Sequence, residues 1–182
     1  MIGAVIILLG VSGIGKSTLS REIQSLRPDI LCLSAGTLLR KYLRTTSEAL
    51  RTAEKQDIEK NQWVLAIALA NERRGQEDRP VLLEAHSFID NDQEFVDVPV
   101  EIIASLKPAG IILISTTPNR LARQRERDDR VRPKRTLSAL SKQIFHSREL
   151  ALYYAKVLRI PNIQIENRQF KLALDFINSL SQ

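Results

Sequence analysis

Residues 10–18 read GVSGIGKST. Glycines at 10, 13 and 15 allow backbone angles and a close approach that a side chain would block. Such a turn aims successive backbone N–H groups at an anion, and a helix opening at Lys16 adds its positive N-terminal end. The spacing from Gly10 to Ser17 is G-x-x-x-x-G-K-[ST], the pattern of a loop that cradles the phosphates of a nucleoside triphosphate. Gly10, Ser12, Gly13, Ile14, Gly15, Lys16, Ser17 and Thr18 are the expected donor-binding set. Lys16 is expected to bridge the β- and γ-phosphates and Ser17 to ligate Mg2+, so ATP and Mg2+ are the expected cofactors. The second metal-side group is expected to be a carboxylate at the end of a neighbouring strand. Glu84 supplies it, directly after the apolar run Val81-Leu82-Leu83.

A second group of chemistry-bearing residues lies far down the chain. Residues 120–135 read RLARQRERDDRVRPKR, seven arginines interleaved with Glu126, Asp128 and Asp129. On a helix Arg120, Arg123 and Arg127 share one face. Guanidinium forks suit phosphate oxygens, and in phosphoryl transfer they neutralise charge as the γ-phosphoryl moves. Pro133 predicts a helix end upstream, with Arg130 and Arg132 on a flap. Arg120, Arg125 and Arg135 read instead as a solvated, salt-bridged face. No aromatic falls among these arginines and only 5% of the chain is aromatic, so stacking of nucleic-acid bases is disfavoured.

Elements must hold these groups in place. Ala4–Leu9, Ile30–Leu33, Pro80–Ala85, Gly110–Ser115 and Asn162–Ile165 are rich in Ile, Val and Leu. They mostly lack period-two alternation, as strands buried on both faces do. Helical patterns cover Lys16–Leu26, Ala35–Arg44, Ser47–Arg74, Val100–Leu106, Asn119–Asp128, Thr136–Leu158 and Phe170–Leu180. Within the third, Trp63, Ile67 and Ala70 recur at helical spacing and are expected to face the core. The alternation predicts an α/β fold with a five-stranded parallel sheet and helices on both faces. With 182 residues and no internal repeat, one domain is expected, with helical inserts around 35–75 and 120–145.

Composition bounds the reading. Apolar residues make up 43% of the chain, and the formal net charge is +6, which admits an anionic partner. One cysteine, Cys32, excludes an intrachain disulfide framework and fits a reducing compartment. The apolar start lacks a basic flank and breaks at Gly10, and no run reaches the length of a spanning helix. A soluble, cytoplasmic protein is expected. Cys32 is expected to be inert in its strand, and His146 to be a structural or surface histidine. At least one of Tyr153 and Tyr154 is expected in the core. Phe88 and Phe95 suit either packing or a base pocket.

With these residues in view the chain resembles a nucleoside monophosphate kinase of the P-loop NTPase superfamily, most closely the archaeal-type adenylate kinases. Ser34-Ala35-Gly36-Thr37-Leu38-Leu39-Arg40 is similar to the family's S-x-G-D-x-[LM]-R, which opens the acceptor site. Ser34, Gly36 and Arg40 match, with Arg40 facing the acceptor phosphate. Glu84-Ala85-His86 resembles D-T-H, with glutamate for aspartate. The region of Arg123, Arg127, Asp128, Arg130 and Arg132 resembles the family's lid, and Arg148 matches the arginine of a later H-x-x-x-N-R-A-A-A helix. Thr37 departs from the family's aspartate, and Asp90–Val98 (DNDQEFVDV) replaces a G-Y-x-P-G loop. Both departures fall on the acceptor side.

The resemblance implies the three-layer P-loop NTPase fold, an acceptor-binding insert around 35–75 and a lid around 120–135. It implies a Mg2+- and ATP-dependent phosphotransferase acting on a small molecule, expected to be a nucleoside monophosphate. Lys16, Arg127, Arg130 and Arg132 would be catalytic and Arg123 would lie on the donor nucleotide. Ser34, Gly36, Arg40, His86 and Arg148 would bind the acceptor, and Ser17 and Glu84 the metal. Two other readings stay open. One is a P-loop kinase for a non-nucleotide metabolite. The other is an ATPase switch that binds protein or RNA, with Glu84 polarising water.

Overall fold

The computed structural model describes residues 2–128, 133–166 and 168–181. Arg130 and Arg132 lie outside them. Five parallel strands, β1 (Val5–Leu9), β2 (Leu31–Ser34), β3 (Val81–Glu84), β6 (Pro108–Ser115) and β7 (Asn162–Glu166), form one sheet in the order β2-β3-β1-β6-β7. A separate antiparallel hairpin joins β4 (Phe88–Asp90) and β5 (Phe95–Asp97).

The apolar runs show why this sheet is covered twice. Successive side chains of a strand point to opposite faces. Ile7 and Leu9 therefore enter one cluster with Leu83, Ile111 and Leu113, while Ile6 and Leu8 enter another with Leu82, Ile112 and Ile114. The first cluster packs beneath helices α2 (Ala35–Leu43), α5 (Leu65–Glu72), α6 (Val100–Ser105) and α8 (Leu137–Leu158). The second lies against α1 (Lys16–Leu26) and α9 (Phe170–Leu180), through Leu19, Ile23, Ala173 and Ile177. The result is the three-layer, five-stranded parallel arrangement that the sequence predicts.

Local chemistry starts the helices. Ser34 and Thr136 cap α2 and α8 by accepting from the backbone N–H of Thr37 and Ala139. Thr117 caps α7 (Pro118–Glu126), which has Pro118 in its first turn, where a missing N–H costs nothing.

Three features differ from expectation. The segment 47–74 is not one helix but three: α3 (Ser47–Thr52), α4 (Lys55–Trp63) and α5. Ala53 is extended, and α3 buries none of its residues fully, touching the core through the partly buried Leu50, too slight a contact to hold it in line with α4. A straight helix over 47–74 would run about 42 Å and carry Arg51 away from the hairpin that it grips. The Trp63–Ile67–Ala70 stripe is not core. Trp63 and Ile67 are 52% and 53% exposed, and the buried face is Leu65, Ala68 and Leu69. Trp63, Ile67 and Ala70 do share a face, but it is the exposed one: helical spacing shows which residues lie together, not which side meets the core. Finally, residues 90–98 hold a hairpin strand where only a changed loop was anticipated.

The hairpin is fastened to α8 by Tyr154. Its ring is 1% exposed and its hydroxyl faces the carbonyls of Ser87 (3.0 Å) and Val98 (2.5 Å). Its neighbour Tyr153 is half exposed. Tyr154→Phe would remove the donor at the Val98 carbonyl, while the Ser87 carbonyl keeps the Val98 N–H at 2.9 Å, and is expected to cost about 1–3 kcal/mol. Thermal unfolding checks it, at about 2–4 °C per kcal/mol for a chain of this length.

Candidate active site

The phosphate loop runs from the end of β1 to the start of α1. Gly10 has φ of 152°, and a Cβ there would lie 2.9 Å from the Ile14 side chain and 3.2 Å from the Ile114 carbonyl. Gly15 caps α1 in the left-handed region, with φ of 102°. Both positions therefore need glycine for a physical reason, one for close approach and one for backbone strain. Lys16 is 8% exposed and folds over the loop, its ammonium donating to the carbonyls of Gly10 (2.6 Å) and Val11 (3.3 Å). His86 Nδ1 lies 3.5 Å from the same ammonium.

The Ser17 hydroxyl donates to Glu84 Oε2 at 2.7 Å. Parallel pairing of β1 with β3 sets Leu8 beside Glu84, which aims the carboxylate at the first turn of α1. A hydroxyl and a carboxylate at this separation fit a Mg2+ ion or its waters, completed by phosphate oxygens. Among the described residues no group of three or more His, Cys, Asp or Glu could hold a metal. A metal held by Ser17 and Glu84 would draw the rest of its shell from water or a bound phosphate. Cys32 lies nearby, and burial first and then the charge of Glu84 push its thiol up to about 11, so it stays protonated.

A cleft of about 1080 Å3 opens in front of this loop. Lys16, Ser17, Glu84 and His86 line it on one side, and Ser34, Gly36, Thr37 and Arg40 of α2 on the other. The Arg40 guanidinium donates to the hydroxyls of Thr37 (2.9 Å) and Ser47. Among the described residues it makes no ion pair. Thr37, where the resembled family has aspartate, thus leaves Arg40 with its full charge.

The hairpin supplies the far wall. Asp92 accepts from both Arg51 of α3 (2.7 Å) and Arg135, and Arg135 forks onto Asp90 at 3.1 and 3.2 Å. Those guanidiniums, Arg51 foremost, hold the Asp92 carboxyl below its usual range. A depressed folded-state value gives stability that is present above the unfolded value of about 3.9 and lost as pH falls through the folded one. The clamp is therefore expected to survive to about pH 4 and open only below it. A carboxyl titration by carbon NMR reads this directly, and Asp92→Asn should abolish that acid limb.

Beside the outer face of α1 lies a second recess of about 780 Å3, lined by Thr18, Glu22, Arg120, Arg123, Arg127, Arg168 and Phe170. The one-face spacing of Arg120, Arg123 and Arg127 gathers all three here. Arg120 pairs with Glu166 at 3.4 Å in a half-exposed contact, the solvated role expected of it. Arg125 and Arg135 differ from that expectation. Arg125 donates to the Ser12 carbonyl at 3.0 Å and to Gln143 at 3.0 Å. Arg135 is engaged by two carboxylates. Spacing shows which face an arginine occupies, not what meets that face.

Arg148 is exposed on α8 and does not line the cleft; from that helix it is Gln143 that does. His146 bonds Asp97 at 2.6 Å and packs edge-on to Phe88, tying α8 to β5. Phe88 and Phe95 stack with each other, and Phe88 also lines the cleft. Sequence reasoning missed Arg51 and Gln143, and nothing in their local patterns distinguishes them. Arg168 and Phe170 were findable, as a cation and an aromatic opening the last helix.

Among the described residues no helix is long and apolar enough to cross a membrane. The family described as AAA domain (AAA_17) matches residues 9–141. The chain is similar to an adenylate kinase of Pyrococcus abyssi (strain GE5 / Orsay), 26% identical over 184 residues that cover 97% of this chain and 92% of the relative. An adenylate kinase of Pyrococcus furiosus is 25% identical over 181 residues, with the same coverage. In fold it is similar to a shikimate kinase from Acinetobacter baumannii in complex with shikimate, with TM-score 0.66, 14% identity, and 97% of this chain and 92% of that one covered. A gluconokinase from Sinorhizobium meliloti 1021 gives TM-score 0.58 at 16% identity, covering 98% and 93%. With residues 9–141 matched and this site in place, the chain belongs to the AAA-domain family and is a P-loop kinase.

Proposed function

We propose that this kinase transfers the γ-phosphoryl of ATP to a nucleoside monophosphate, with Mg2+ at Ser17 and Glu84. One observation carries the choice of acceptor. Arg40 lines the cleft with no carboxylate paired to it among the described residues, opposite the loop that would hold the donor. A phosphate monoester matches that fork in charge and geometry. It also needs no general base, whereas an alcohol acceptor does. Among the described residues four carboxylates line the cleft: Glu48, Glu84 and Asp90, engaged by Arg51, Ser17 and Arg135 respectively, and Asp128. Three of the four are thus already committed to a partner.

In this reading the backbone N–H groups of the loop hold the β-phosphate. Lys16 exchanges the Gly10 and Val11 carbonyls for phosphate oxygens and follows the moving group. Arg123 and Arg127 flank the donor nucleotide. Arg40 holds the acceptor phosphate so that one of its oxygens lies in line with the γ-phosphorus. That oxygen forms a bond to phosphorus as the bond to the bridging β–γ oxygen breaks, and the electron pair leaves with ADP. A bound Mg2+ would neutralise charge on the β- and γ-oxygens. Positioning and charge neutralisation supply the rate, and no covalent enzyme intermediate is required.

The shikimate kinase and gluconokinase folds raise a second acceptor class, a carboxylate-bearing polyol, since Arg40 would also grip a carboxylate. A panel decides between them: nucleoside monophosphates against shikimate and gluconate, each with ATP and Mg2+, read by detection of the phosphorylated product. Turnover of a monophosphate supports the proposal. Turnover of polyols alone replaces it.

A further inference from the structure

Gln143 is an uncharged polar side chain only 5% exposed, in the middle of α8. An apolar residue would fill that space without the cost of burying an amide. Both ends of the amide are used, and in opposite senses. Its oxygen accepts from Arg125 Nη2 at 3.0 Å and its nitrogen donates to Asp90 Oδ2 at 2.6 Å. The guanidinium can only donate and the ionised carboxylate can only accept, so the amide has one allowed orientation.

What lies beyond each end matters more. Arg125 Nε donates to the carbonyl of Ser12, inside the phosphate loop, at 3.0 Å. Asp90 is held by Arg135, which shares Asp92 with Arg51 of α3. A continuous series of hydrogen bonds therefore runs from the donor loop to the acceptor-side helix. The hairpin links in it are doubled, since Arg135 reaches both aspartates and Arg51 reaches both Asp92 and the Asp90 carbonyl. Gln143 joins the two halves with one bond on each side.

We propose that Gln143 is a positioning residue that couples occupancy of the donor phosphate loop to the arrangement of α3 and α4 on the acceptor side. The proposal rests on the reading that the loop binds ATP. Triphosphate entering the loop displaces the contacts around Ser12, Arg125 responds, and Gln143 passes the shift to Asp90 and the Arg135–Asp92–Arg51 clamp. The acceptor helices would thus sense a loaded donor, which favours transfer over hydrolysis.

The chain carries its own reporter. Trp63 is the only tryptophan, lies in α4 beside the cleft residue Gln62, and is half exposed. Its emission is followed while Mg2+ and a non-hydrolysable ATP analogue are added, with binding measured in parallel by calorimetry. In the wild-type chain the emission is expected to change in step with occupancy. In Gln143→Leu the analogue should bind within about threefold of the wild-type affinity while the Trp63 response per bound nucleotide falls at least about fivefold. A purely structural role would lower the melting temperature and leave that response intact. If Gln143→Leu does not fold, Arg125→Met, which removes the donor to both Ser12 and Gln143, is expected to lose the response in the same way. An undiminished response in a folded variant overturns the coupling. So does a wild-type chain that binds the analogue with no change at Trp63. A wild-type chain that binds no analogue at all overturns the donor reading itself, and the coupling with it.

Discussion

Replacing Lys16 with alanine is expected to lower kcat/KM for phosphoryl transfer by at least about 1000-fold. The reason lies in where its ammonium sits. It is buried at the mouth of the loop, bonded to the carbonyls of Gly10 and Val11 and 3.5 Å from His86. Backbone carbonyls are exchangeable partners, and a triphosphate offers oxygens of full negative charge in the same place. The group that then migrates stays within reach of a long, flexible ammonium stem, so the charge contributes more as the phosphoryl transfers than before it. The fold should survive, because the sheet and α1 are held by Ile6, Leu8, Leu19 and Ile23 rather than by this side chain. Steady-state rates with circular dichroism on the same sample check both halves. A loss of less than about tenfold would remove Lys16 from the transfer step.

Arg40→Ala is the second large effect, and its signature differs. Its guanidinium is held by Thr37 and Ser47 rather than by a carboxylate, so its charge is available to an anionic acceptor. A charge-assisted hydrogen bond contributes about 1.5–3 kcal/mol, so kcat/KM for the acceptor should fall about 10- to 150-fold. Donor affinity should stay within about twofold, since Arg40 acts on the other side of the cleft. Varying each substrate in turn separates the two. If ATP affinity falls as much as acceptor affinity, Arg40 is not an acceptor residue.

These two residues also mark how far the sequence could be read. Lys16 lies in a contiguous motif whose geometry is local: glycines, a strand before and a helix after. The strands were legible for a related reason, since burial on both faces leaves unbroken Ile, Val and Leu runs. Residues 47–74 were not, because their helical period is interrupted at Ala53 and Val64 without glycine or proline to mark it. The break comes from tertiary demands, with α3 held by Arg51 at the hairpin. Residues 90–98 hid a strand because Phe95-Val96-Asp97 is short and follows a run of turn-forming Asp and Asn. Gln143, Arg51 and Arg135 matter through partners more than 40 residues away, which spacing along the chain does not encode. Arg125 reaches even further, 113 residues back to Ser12.

The most direct test follows phosphorus itself. The protein is mixed with ATP, Mg2+ and each nucleoside monophosphate in turn, and the reaction is watched by phosphorus NMR. The account predicts that the γ-signal of ATP is replaced by the α- and β-signals of two nucleoside diphosphates for at least one monophosphate. Release of inorganic phosphate alone, with every monophosphate unchanged, would contradict it.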